Sequence, residues 1–464
     1  MVEKQLDGRG GKADEGKSRR GKEQTRRKER GKTAALFFLG FLPMAARSLI
    51  AKRERGTFAA FPVFRRNFSA GGGKIAIIFP SSRARTGGQG DFRRFCMVNY
   101  EELIKRLSRS AEPLGLLTMQ ATSTTARLRK AFNVRLRALY AAEHGFFGTT
   151  ANGEATHGSY HPFYNLPIHS LYGEYRKPTP EMLSSIKRMV IDLCDIGVRC
   201  YSYLATLRNT LEACAENDLP VTVLDREVPM GNVVDGPMRD AAFASFLAPI
   251  NVPFCHGMTP GECALWIKKN EKLDLDLDVV PMRDWNHKKH EPWPNFIPPS
   301  PDIRSWDCAV AYPMTVFTEA YPALDCDRDG PLAFRVIGAP WMDARALMED
   351  LRVGLDTCGV EMRPYRYMPR GGRYSCFNLN GIMFSVSRPY GYNPVAAGAL
   401  ILAAIMKRYG DKVRIGSKPD HLDKLMGTEV VRNAIERDDL GDLFQSWIDA
   451  HDEFEKTRVC LYSA

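Results

Sequence analysis

Four short apolar runs, each preceded by a helical stretch, constrain this chain more than any other feature. They are LGLLTM at 114–119, RALYAA at 137–142, MVIDLC at 189–194 and PVTVLD at 220–225. YEELIKRLSRSA, STTARLRKAFNV, PEMLSSIKR and TLRNTLEACAEND around them carry helical spacing. Strands that read as continuous apolar runs, rather than alternating ones, need cover on both faces. Alternation with helices therefore predicts an α/β fold built on a doubly wound parallel sheet. The Gly/His/Pro-rich stretch 145–180 reads as a loop.

A chain of 464 residues exceeds one core of ordinary size, so two domains and a tail are expected. The second half is rich in Pro and Trp and ends in helices such as NPVAAGALILAAIMKRYG. The uncharged run 394–406 in that helix is shorter than the roughly 20 residues that span a bilayer, so it predicts a buried helix. The boundary falls between 265 and 300. The expected division is 1–92 as tail, targeting segment and linker, 93–285 as the first domain, and 286–464 as a domain closing a cleft.

The charge of +11 is confined to the tail. Residues 1–70 hold 18 Lys+Arg against 7 Asp+Glu, and the remainder holds 47 of each. A neutral body argues against a phosphate-tracking surface, so no nucleic-acid partner is expected. Residues 1–32 have too few large apolar side chains to fold. TAALFFLGFLPMAA is too short for a stable membrane span, although it has the composition of a signal-peptide core. From Met44 the composition is Arg-rich and acid-poor, as in a mitochondrial presequence, with RRNFSA as a processing site after Phe68. The expected location is mitochondrial, with secretory and cytoplasmic fates as alternatives. A linker at 70–92 with one strand, KIAIIF, completes the tail. GGGK at 71–74 is no phosphate loop, because Ile75 follows the lysine. Eleven scattered cysteines without a C-x-x-C pair predict free thiols.

In an open parallel sheet, ligands bind outside the carboxyl ends of the strands. RALYAA delivers Glu143 and His144 there. MVIDLC carries Asp192 and leads to Asp195, Arg199 and Tyr201. PVTVL leads to Asp225 and Arg226. Glu143 has no evident packing role between an apolar strand and a Gly turn, which suits a general acid. Asp225–Arg226 could equally be an ion pair at a strand end, and Asp192 a buried positioning acid. His256 and Glu262, in CHGMTPGE, lack zinc-hydrolase spacing but could line a sugar pocket. DCDRDG at 325–330 opens like a calcium loop, yet its twelfth position is Val336, not Glu. No metal or cofactor is expected. A weaker metal-hydrolase reading would use Asp192, Asp195 and His144.

EHGFFG, SLYGEYRKPTPEML, VIDLCDIGVRCYSYLATL, TVLDREVPMG, HGMTPGE, PSPDI and IGAPW occur in an order that resembles the NamZ-type exo-β-N-acetylmuramidases. These enzymes remove terminal N-acetylmuramic acid from the non-reducing end of peptidoglycan fragments. The resemblance implies a Rossmann-like domain packed on a smaller α/β (α+β) C-terminal domain, with the site in the cleft between them. It places the family's motif glutamate at Glu143, and a later family glutamate, from Phe-Glu-Gly, at Glu319. The departures include Ala142, Cys194 and Val228 for the family's Pro, Gln and Asn, and Asp302 for the Asn of Ser-Pro-Asn. The family's Glu-Gly-Arg-Gly-Thr-Thr is replaced by DCDRDGPL, where Asp325 and Arg328 stand in for its acid and arginine.

The expected function is a glycoside hydrolase acting on a glycan or muropeptide fragment, with no cofactor. Glu143 is the acid, and Glu319, Asp195 or Asp325 the second carboxylate. Arg199 or Arg226 would take the lactyl carboxylate, with His144, Asp192, Tyr201, Asp225, His256 and Arg328 lining the substrate. The alternative is a catalytically degraded organellar sugar-binding or assembly protein.

Overall fold

The computed structural model describes residues 98–287, 296–387 and 391–462. The targeting segment, the linker and the strand expected at 74–79 lie outside the described residues. Residues 95–464 group as one compact unit.

The chain opens with α1 (Tyr100–Leu107), capped by the Asn99 side chain, and enters β1 (Leu114–Leu117). Next come α2 (Thr124–Phe132) and β2 (Leu136–Ala141). The stretch read as a loop holds β3 (Ser159–Tyr160) and β4 (Pro167–Ser170). Pro and His had masked β4, which pairs in parallel with β2 through Leu139 and Ile168. The chain then runs through α3 (Pro180–Leu183), β5 (Arg188–Ile191), α4 (Ser202–Glu216) and β6 (Val221–Leu224). A small pair, β7 (Val234–Asp235) and β8 (Cys255–His256), precedes α5 (Pro260–Asn270) and β9 (Leu277–Val280).

The main sheet has the order β3-β4-β2-β1-β5-β6-β9, parallel except at β3–β4. Leu114, Leu116, Leu117, Met189, Val190, Ile191, Val221 and Val223 are wholly buried. Helical cover on both faces explains why these strands show no polar alternation. β1 is the switch point, with β2 and β4 on one side and β5, β6 and β9 on the other. Glu143 follows β2 at the carboxyl edge, where such a fold leaves its crevice. The Rossmann-like α/β expectation is met.

The later part is α6 (Trp306–Thr315), a short 3-10 turn at Val316–Ala320, β10 (Val336–Ala339), α7 (Ala344–Thr357), β11 (Val360–Tyr367) and β12 (Leu379–Val386). Its three strands form an antiparallel sheet in the order β10-β12-β11. The helices α8 (Pro394–Val413), α9 (Pro419–Met426), α10 (Val430–Arg437) and α11 (Leu440–Glu455) close the chain. As read from its length, α8 is a core helix, with Ala397, Ile401 and Ile405 fully buried. No helix among the described residues is long and apolar enough to cross a membrane.

The C-terminus returns to the first sheet. The Tyr462 hydroxyl donates to Asp225 Oδ2 at 2.5 Å, and the Leu461 N–H donates to Glu262 Oε1 at 2.7 Å. The cysteines among the described residues are free and mostly buried.

Candidate active site

The strand that ends at Ala141 must turn sharply to clear the sheet. His144 and Gly145 both take positive φ, 69° and 74°. That turn sets Glu143 and His144 on the wall of a cavity of about 300 Å³. Tyr172, Arg176, Tyr201, Phe246, Asp302, Tyr312, Glu319, Arg328 and His421 also line it. Residues from the first sheet and from the later helices therefore meet in one crevice.

Glu143 is buried, and its Oε1 accepts the Gly153 N–H at 2.8 Å. The Tyr172 hydroxyl lies beside its carboxylate, which adds to burial in raising the phenol. His144 Nδ1 is 2.9 Å from the Thr150 carbonyl. A carbonyl can only accept, so Nδ1 carries the proton there. The Tyr201 hydroxyl is buried near Ser300 without a well-formed hydrogen bond.

Opposite in sequence, the 3-10 turn after α6 presents Glu319. Arg328 Nη2 donates to Glu319 Oε1, and His421 Nε2 lies 3.4 Å from Oε2. Burial by itself would raise the Glu319 carboxyl, but His421 and the Arg328 charge outweigh it and lower its pKa. Arg328 Nε is also 3.6 Å from Asp302 Oδ2. Burial raises Asp302 against the charges of Arg328 and His144. The substituted loop 325–330 thus still supplies an arginine to the cavity.

Several residues expected at the site are engaged elsewhere. Arg226 binds Asp192 through Nε and Nη2, and Thr124 also donates to Asp192. The ion pair therefore joins adjacent strand ends, and it is not Asp225–Arg226. Asp225 accepts from Thr259 Oγ1 and Gly261 N, both at 2.7 Å, besides Tyr462. Burial pushes it up to about 6. Arg199 is fully buried and donates to the carbonyls of Pro237, Val252 and Met426. Neither Arg199 nor Arg226 is placed to take a substrate carboxylate.

His256 is buried, and its Nδ1 accepts the Met258 N–H at 3.2 Å. Glu262 completes a capping box with Thr259 on α5, and neither it nor His256 lines the cavity. Asp325 Oδ1 accepts from Asp327 N at 2.8 Å and from Tyr367 at 2.9 Å, off the cavity wall. Asp195 lines a separate space of about 20 Å³, with its Oδ1 on Gly197 N. Asp192, Asp195 and His144 do not converge, and no metal-holding group of three occurs among the described residues.

Sequence reasoning missed Arg176, Tyr172, Asp302 and His421 as wall residues. The first two lie in the quoted SLYGEYRKP and the third in PSPDI, so motif membership was an available signal. His421 had none.

Residues 112–307 match the N-terminal domain of the exo-beta-N-acetylmuramidase NamZ, and residues 310–462 match its C-terminal domain. The peptidoglycan beta-N-acetylmuramidase NamZ of Bacillus subtilis (strain 168) is 30% identical over 358 residues, 76% of this chain and 86% of that protein. The chain belongs to the NamZ family. Two crystal structures of DUF1343-family proteins from Bacteroides fragilis share its fold. One has a TM-score of 0.72 at 27% identity, covering 80% of this chain and all of that one. The other has a TM-score of 0.61 at 25% identity, covering 78% and 96%. In this NamZ-family chain Glu143 and Glu319, from different segments, both line the cavity.

Proposed function

We propose that this protein is an exo-acting glycoside hydrolase that releases a terminal N-acetylmuramic acid, or a related amino sugar, from a glycan end. The observation carrying this reading is the meeting of Glu143 and Glu319 in one cleft of about 300 Å³, within the range of small-ligand sites. Glu143 protonates the departing glycosidic oxygen. Glu319, kept ionised by His421 and Arg328, is the second carboxylate and offsets the positive charge that develops at the anomeric carbon. Arg328 orients that carboxylate, and its pairing with Asp302 braces it from the other side.

The direct test is turnover of an aryl β-N-acetylmuraminide. Glu143→Gln should keep the native melting temperature and lose at least ~10²-fold in kcat, the usual scale for a proton-transfer group. Normal turnover by that variant removes Glu143 from the mechanism. Binding of muropeptide without any turnover by the wild type would instead favour the degraded sugar-binding descendant. The anomer formed first, read by proton NMR, assigns retention or inversion.

A further inference from the structure

Two arginines line the cavity, and they are held in opposite ways. Arg328 is committed to Glu319 and Asp302. The guanidinium carbon of Arg176 lies 4.5 Å from the centre of the Tyr172 ring and 4.3 Å from that of Phe246. Those rings are themselves 5.8 Å apart, and both line the same cavity. Cation–π contact steadies a guanidinium without neutralising its charge, and here the Tyr172 hydroxyl also accepts from Arg176. Among the described residues Arg176 forms no ion pair with a carboxylate. The Tyr172 hydroxyl is within hydrogen-bonding reach of both Arg176 and Glu143, so this cation and the proposed acid flank one phenol.

We infer that Arg176 is the specificity-determining cation of this site, receiving the lactyl carboxylate of a terminal N-acetylmuramic acid. This rests on the hydrolase reading above and adds to it which residue selects the sugar. The lactyl ether stands two carbons from the anomeric carbon on the same ring. A carboxylate held on Arg176 would lie in the same cavity as Glu143, with Tyr172 adjoining both side chains. A planar fork matches a carboxylate with two parallel hydrogen bonds, which an ammonium cannot reproduce.

The test compares an aryl N-acetylmuraminide with its lactyl methyl ester, in which the negative charge is removed and the sugar kept. Wild-type protein should lose ~10- to 100-fold in kcat/KM on the ester, the range of a charge-assisted hydrogen-bond pair. Arg176→Ala should lose a similar factor on the acid, mainly through KM, and show no further loss on the ester. Arg176→Lys should recover only part, and melting temperatures report whether each variant folds. If Arg176→Ala distinguishes acid from ester as well as the wild type does, the inference is overturned. Should the wild type hydrolyse neither compound, the hydrolase reading fails alone, and calorimetry with free N-acetylmuramic acid decides this one. Binding to the wild type that Arg176→Ala abolishes supports the assignment. Equal binding by both, or none by the wild type, overturns it.

Discussion

The guanidinium of Arg328 donates to the carboxylate of Glu319 across nine residues of chain. The same guanidinium faces Asp302, so the loop at 325–330 braces two acids of the cavity. Arg328→Met should lower kcat/KM by ~10- to 100-fold, because Glu319 loses both its charge partner and its orientation. A double-mutant cycle with Glu319→Gln should show coupling of about 1–3 kcal/mol in transition-state free energy. Additive effects would mean that the two side chains act independently.

Asp302 stands where the sequence resemblance implies an Asn, a neutral amide, and burial holds its pKa above the usual carboxylate range. Its protonated form resembles that amide most closely. Turnover should therefore fall as pH rises through the raised Asp302 pKa. Asp302→Asn should keep its rate on the alkaline side, and pH profiles of kcat/KM for both proteins check this. Identical profiles would show that Asp302 does not titrate in turnover.

Asp192 and Arg226 form a buried ion pair joining the ends of β5 and β6, with Tyr100 and Thr124 completing its hydrogen bonds. Breaking such a pair leaves a charge without compensation. Asp192→Ala should cost about 3–5 kcal/mol in unfolding free energy. Chemical denaturation measures it, and a loss below 1 kcal/mol, the range of a surface pair, would contradict the burial argument.

His256 gives a pH prediction of definite sign. Burial, with the charges of Arg199 and Arg458, pushes its pKa down to about 3. The unfolded chain binds that proton near 6.5, so between these values the unfolded state holds more protons. The contribution is therefore complete above about 6.5 and is lost as pH falls through about 3, amounting to roughly 5 kcal/mol. His256→Gln should remove about one proton from the slope of stability against pH between about 4 and 6. An unchanged slope would mean that His256 is already protonated in the fold.

Much of the sheet was legible because its strands are short, apolar and separated by helices. β1, β2, β5 and β6 all fall on runs identified by pattern alone. β4 was hidden because Pro167 and His169 break the apolar signal, and its place is set only by pairing with β2. β9 was missed, since Asp278 interrupts a run of four residues. At the site, Glu143 could be found as an acid at a strand tip. The same reasoning picked Asp192, Asp225 and Arg226, which occupy equivalent tips but are used up in packing. A strand end offers a carboxylate to whatever lies beyond it. Sequence does not say whether that is a cavity or the hydroxyl of Tyr462, which comes from 237 residues away.

What the chain's own order of residues determined is the Rossmann-like sheet, its carboxyl edge and the acid delivered there, because periodicity and strand ends are local properties. Only the tertiary structure decided which charges remain free. Arg199, Arg226 and Arg328 are each consumed by partners brought from other segments, whereas Arg176 packs on two aromatic rings and forms no ion pair among the described residues. Pairing of charges depends on distances across the fold, and such distances are not written in any short stretch of sequence.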